Sequence, residues 1–224
     1  MSIYRRYWSR FVMSEKKTNY LPALRKGKES LVEVWNNEAE KTQLPKLCGC
    51  RIDAERIMLQ YFGTEYSVSM PGCEVSPEGL KVSEQILLFH YLTRPLSPDA
   101  APAAESTSWI TFKQLPNAEF YNPTYQKRGP KIILSAFAEN PGQLISAGER
   151  MRGRKGDFGD YSVVLHPLPK IDAMAVFYAG DDELPPAAEI LFSADIHRFL
   201  PLEDTAVFAG FIAGRLIKAS RGGM

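Results

Sequence analysis

The chain has 224 residues, enough to bury a sizeable core. Hydrophobic residues make up 45% and charged residues 24%, with a formal net charge of +1. These values exclude a disordered or fibrous chain and give no basic excess of the kind a nucleic-acid binder carries. Three cysteines, an odd number, argue against a disulfide framework and for a reducing compartment.

No run of about 18 apolar residues occurs, so no transmembrane helix is expected. Arg5, Arg6 and Arg10 are not followed by an apolar signal core, and a cytoplasmic protein is expected. Ile3, Tyr4, Tyr7, Trp8, Phe11 and Val12 recur at helical spacing with the arginines on the other side. Such a basic amphipathic segment suits an anionic membrane surface, a partner protein or the flank of its own domain. Met13 offers an alternative start of translation. Residues 1–27 are therefore taken as an N-terminal extension and 28–224 as a single domain.

Ser30 and Glu33 have the spacing of a capping box. A helix opening there would turn Leu31, Val34, Trp35 and Ala39 inward and stop before Pro45. A second helical stretch is expected over residues 53–61, with Ile57, Met58 and Tyr61 on its apolar side. Residues 65–70 alternate like a strand and close on Pro71 and Gly72. Residues 83–92 are apolar nearly all round, which predicts a deeply buried helix. The stretch 95–108 holds three prolines among small residues and is the place for a subdomain break or an exposed loop. Residues 109–112 are too short to classify, a Pro/Asn-rich stretch runs on to Pro130, and 131–139 favours helix. Residues 148–160 read as a glycine-rich charged loop.

The C-terminal third is clearest. Residues 162–165, 173–178 and 189–192 read as strands, and the second is apolar throughout, as a central strand would be. A final helix is expected over 203–218, with Glu203 and Asp204 at its start and Lys218 at its end, as the helix dipole favours. The expected fold is α+β, a mainly antiparallel sheet from the C-terminal half with helices packed on one face.

Four places invite chemistry. Cys48, Cys50 and Cys73 lack the C-x-x-C spacing and the fourth ligand of a closed metal site, so they read as small buried thiols near a turn and no metal site is assigned. His90 stands in the all-apolar helix, where an imidazole is either a satisfied core group or a ligand lining a pocket. His166 is expected to shape a loop, and His197 to be exposed or capping. Asp181, Asp182 and Glu183 follow the expected central strand, at a strand end that suits metal or acid–base work; a plain polar turn is the other reading. In the 148–160 loop, Arg150 and Arg152 are the anion-gripping candidates, although the order of glycines fits neither phosphate-binding motif.

Five stretches taken together, ILLFHYL (86–92), WITFKQLP (109–116), GDDELP (180–185), ILFS (190–193) and LPLED (200–204), are similar to signature segments of a domain-of-unknown-function family. The likeness spans residues 28–218. It implies a family widespread in anaerobic prokaryotes, with some relatives joined to an iron–sulfur module, and hence a setting in anaerobic redox or corrinoid metabolism. This chain has too few cysteines for such a module, and the family supplies no catalytic residues to carry over.

The function expected is that of a ligand- or cofactor-handling accessory protein. Its pocket would lie between the helix of His90 and the sheet edge at Asp181, Asp182 and Glu183. In its sharpest form the ligand is a metal-tetrapyrrole with His90 as axial ligand. A divalent-metal-dependent hydrolase or transferase using the acidic turn is one alternative, and a protein- or membrane-docking module is another. The expected partner is a small molecule or a redox protein, with no nucleic acid.

Overall fold

A computed structural model describes residues 20–101 and 108–223. The basic stripe of residues 3–12 lies outside them, as do residues 102–107 of the expected break. The chain opens with helix α1 (Leu21–Asn36), which starts at Pro22 and runs straight through the expected capping box. Pro22 suits a first turn, because its missing N–H would have no partner there anyway. Leu31 and Val34 turn inward as expected, and Gly27 lets α1 approach Phe89, whose Cβ would stand 3.2 Å from an added methyl. Two short helices follow, α2 (Glu38–Lys41), capped by Asn37, and α3 (Leu44–Cys48).

The chain then forms a sheet of which the sequence announced one strand, that over residues 65–70. Strands β1 (Arg51–Asp53), β2 (Arg56–Tyr61), β3 (Thr64–Ser69) and β4 (Glu74–Ser76) pair in sequence order, all antiparallel. This replaces the helix expected over 53–61. The inward residues of β2 are Ile57, Leu59 and Tyr61, which is a period of two, whereas Ile57, Met58 and Tyr61 had suggested a helical face. Phe62 and Gly63 both take positive φ, as a two-residue hairpin turn between right-twisted strands requires.

Helix α4 (Val82–Thr93) is buried on almost every side, as expected; Ile86, Leu87, Leu88, Phe89, Tyr91 and Leu92 all lie in the core. After a 3-10 turn (Arg94–Leu96) and strand β5 (Trp109–Thr111), the Pro/Asn-rich stretch contains helix α5 (Ala118–Arg128), with Pro123 inside it. No apolar stripe marks this helix. It is held by Tyr125, whose ring stacks on Phe112 at 4.4 Å and whose hydroxyl meets the Glu189 carboxylate and accepts from the Ile190 N–H. Helices α6 (Pro130–Phe137) and α7 (Gly142–Arg150) follow.

The second sheet has the order β5-β9-β8-β7-β6, again antiparallel throughout, with β6 (Arg154–Lys155), β7 (Tyr161–Leu168), β8 (Ile171–Tyr178) and β9 (Ala187–Ser193). Strand β8 is central, and its apolar run has a clear cause. Ala173, Ala175 and Phe177 enter the main core, while Met174 and Val176 on the other face form a smaller cluster with Val164 and Leu191. Helix α8 (Ile196–Phe199) leads to α9 (Leu202–Ser220), which packs on α5, α6 and α7. The expected α+β class with an antiparallel C-terminal sheet holds, and a second sheet from residues 51–76 adds to it. The two sheets meet where the Phe62 N–H donates to the Pro167 carbonyl, 2.9 Å away. Pro167 cannot donate to a ladder, and β7 is irregular there, between Leu165 and Leu168. Among the described residues, no helix is long and apolar enough to cross a membrane.

Candidate functional site

His90 stands in the last turn of α4, half-buried between the buried Phe89 and Tyr91. Its ring Nδ1 lies 2.6 Å from a carboxylate oxygen of Asp204, in the first turn of α9. A carboxylate only accepts, so Nδ1 carries the proton and Nε2 carries the lone pair. The imidazole side chain is 30% exposed and the carboxylate 15%, so the pair sits at the rim of the core rather than in it.

One helical turn beyond His90, Arg94 donates from Nε to the carbonyl of His197 on α8, at 3.2 Å. His197 itself is half-buried, and its Nδ1 is hidden from solvent with no hydrogen-bond partner. The end of α4, the short α8 and the start of α9 therefore bring the His90 imidazole, the Asp204 carboxylate, the Arg94 guanidinium and the His197 backbone to one junction. Of these, the sequence singled out His90 alone as the residue to meet a ligand. Asp204 was legible only as a dipole-favoured residue at a helix start, and Arg94 carried no signal.

The acidic turn is held by local hydrogen bonds. Asp181, Asp182 and Glu183 lie exposed in the connection between β8 and β9, after Gly180 at φ +76°. The Asp181 carboxylate accepts from the N–H groups of Glu183 (2.9 Å) and Leu184 (2.8 Å). Those two backbone bonds hold its pKa below the ordinary 3.8. The carboxylate that His90 bonds is Asp204 and none of these three.

The start of the glycine-rich stretch makes close contacts within the fold. Gly148 lies inside α7, where an added Cβ would stand 2.0 Å from Val163 Cγ2, so its lack of a side chain lets the helix lie on β7. Arg150 donates to the carbonyls of Ala219 (2.8 Å) and Ser220 (3.2 Å), closing the C-terminal end of α9. Those carbonyls are fifteen and sixteen residues from Asp204, roughly 23 Å along the helix, so Arg150 stands at the far end of α9 from His90. Arg152 is exposed at φ +62°, just past the end of α7.

The cysteines are all buried and free. Burial pushes the Cys50 thiol up to about 11 and that of Cys48 higher still, where the neighbouring Cys50 adds to the effect. Cys48 points at the carbonyls of Tyr91 and Leu92 at 3.6 Å, and the Tyr91 hydroxyl donates back to the Cys48 carbonyl at 2.6 Å. Gly49 between the first two takes φ +64° against Pro169, a place no other residue fits without strain. A cleft of about 240 Å³ lies beside the start of α4, lined by Val75, Pro77, Glu78, Gly79, Leu80 and Gln85. It contains none of the residues of the junction.

Fold and junction together define a mixed helix-and-sheet domain with two antiparallel sheets and a histidine–carboxylate pair where three helices meet. Residues 42–215 match the model of the family described as a domain of unknown function, DUF3786, and the chain belongs to that family. The matched span takes in His90, Arg94, His197 and Asp204 and leaves α1 outside. No curated protein and no solved structure matches the chain.

Proposed function

We propose that the protein is a ligand- or cofactor-handling accessory protein, and that its ligand meets the Nε2 face of His90. The contact of 2.6 Å between His90 and Asp204 carries this reading. A carboxylate on Nδ1 fixes the ring and its tautomer, which is the arrangement by which proteins orient histidines that ligate metals. Two further observations agree. His90 stays half-buried between the buried Phe89 and Tyr91, and the Nδ1 of His197, whose carbonyl Arg94 holds, is hidden without a hydrogen-bond partner.

The sharpest form of the proposal is a metal-tetrapyrrole with His90 as axial ligand. Among the described residues, no group of three or more His, Cys, Asp or Glu is placed to hold a metal ion. A tetrapyrrole brings most of its metal's donors with it, so a lone imidazole such as His90 would suffice to hold it. When bound, such a group would supply redox or group-carrying chemistry. His90 would hold it, Asp204 would set the tautomer of His90, and Arg94 would meet a ligand carboxylate. The setting proposed is anaerobic redox or corrinoid metabolism, with a redox protein as partner. The local closure of the Asp181 carboxylate on its own turn disfavours the hydrolase or transferase reading.

The test is a titration of the full chain with haem and with cobalamin, followed by absorbance. A Soret or corrin-band shift is expected, weakened at least tenfold in affinity in His90→Ala and altered in position in Asp204→Asn. Absence of any shift, or a shift identical in His90→Ala, overturns the proposal.

A further inference from the structure

The far end of the second sheet carries a surface that the junction at His90 does not use. Two segments meet there, the loop of residues 156–160 before β7 and the turn of residues 179–186 between β8 and β9. The Ala179 N–H donates to the Asp160 carboxylate at 2.8 Å, and the Asp160 N–H to the Phe177 carbonyl at 3.1 Å. Gly159 lies so close that an added Cβ would stand 3.3 Å from the Tyr178 ring. The two segments contribute Asp157, Asp160, Asp181, Asp182 and Glu183 and no basic residue. Phe158, Tyr178 and Leu184 are exposed on the same end, and they are three of the five large apolar side chains exposed among the described residues. Exposed apolar groups gathered in one place and rimmed by one sign of charge mark an interaction surface.

We infer that this tip is the docking surface for the chain's own N-terminal segment, residues 1–19. The segment has the complementary chemistry. It carries Arg5, Arg6, Arg10, Lys16 and Lys17 against the single acid Glu15, and the aromatic residues Tyr4, Tyr7, Trp8 and Phe11. Reach does not restrict it, because nineteen residues span up to roughly 65 Å when extended. That exceeds the diameter implied by a radius of gyration of roughly 17 Å for a chain of this length. Opposite charge supplies attraction and register, while the aromatic side chains cover Phe158 and Leu184. An anionic membrane would be repelled by the same five carboxylates that attract the segment.

The experiment uses the full chain with a photoreactive benzoylphenylalanine in place of Trp8, and mass spectrometry locates the crosslinks. The expected result is intrachain crosslinks to residues 156–160 and 178–186. Their yield should fall at least fivefold in a variant carrying Asp157→Asn, Asp182→Asn and Glu183→Gln, and again at about 1 M salt, where screening acts within roughly 3 Å. Asp160 and Asp181 are left intact because their carboxylates hold backbone N–H groups. A second variant, Phe158→Ser with Leu184→Ser, should lower the yield without removing charge. Crosslinks to another surface, to a second copy or to lipid, no crosslinks at all, or a yield unchanged by both variants would each overturn the inference.

Discussion

Arg215, near the end of the last helix, places its guanidinium 2.6 Å from a carboxylate oxygen of Glu84, which stands 131 residues earlier on α4. The same Glu84 oxygen accepts from the Tyr61 hydroxyl at 3.2 Å, and the other accepts from the Lys81 N–H at 3.2 Å. The guanidinium also lies over the rings of Tyr61 and Phe62, at 4.8 Å and 4.2 Å. First sheet, buried helix and final helix are thus joined by one satisfied polar network.

Breaking that network from one side leaves a charge stranded. Glu84 is only 5% exposed, so Arg215→Met should cost about 3–5 kcal/mol, read from urea unfolding. The double change Glu84→Gln with Arg215→Met should recover much of this loss, since both charges are then removed. A single variant that loses less than about 1 kcal/mol would show that the pair is solvated, as exposed pairs are.

The pairing of His90 with Asp204 predicts a tautomer. Nitrogen-15 spectra of the imidazole should show a protonated Nδ1 and an unprotonated Nε2 in the neutral ring, because the carboxylate only accepts. In Asp204→Ala this preference should disappear, and stability should fall by about 1 kcal/mol as the half-buried donor loses its partner. A wild-type ring protonated on Nε2 would contradict the geometry.

Gly148 offers a test of packing. Gly148→Ala puts a methyl 2.0 Å from Val163 Cγ2, and α7 must move off β7 or Val163 must shift. The expected cost is about 1–3 kcal/mol. Combining it with Val163→Ala should restore part of the loss, and denaturation midpoints of the four proteins of the cycle give the coupling directly. If Gly148→Ala is neutral, α7 does not lie where it is described.

The thiols predict a one-sided pH dependence. Burial raises the Cys50 pKa from 9.0 to about 11 and that of Cys48 further, so the folded state holds protons that the unfolded state gives up. The stability they contribute is therefore complete below about pH 9 and lost as pH rises through 11. Denaturation midpoints should fall over that window, and in Cys50→Ala the fall should be smaller. Thiol reagents should modify neither Cys48 nor Cys50 at pH 8 until denaturant is added.

Chemistry with a short sequence range was legible throughout. Strands β7, β8 and β9 of the C-terminal sheet and the final helix follow from apolar runs of strand or helix period, and the all-round apolar character of residues 83–92 announced a buried helix; the short β5 and β6 carried no such run. The failures have a shared cause. Ile57, Met58 and Tyr61 fit a helical stripe as well as a strand face, and only pairing with Val68 and its neighbours across the hairpin decides for the strand. Helix α5 has no apolar stripe and is held by Tyr125 reaching the backbone of β9, a contact 65 residues distant in sequence.

The candidate site divides the same way. By itself the sequence determined that His90 is a polar residue in an apolar helix, because periodicity is a local property. That its partner is Asp204, 114 residues away, and not the acidic turn, was decided by how α4 and α9 pack. Glycines and arginines in residues 148–160 looked like an anion loop because composition records residue types and not neighbours. The tertiary structure assigned Gly148 to close helix–sheet contact and Arg150 to the carbonyls ending α9, since burial and hydrogen bonding depend on what the folded chain brings within a few ångströms.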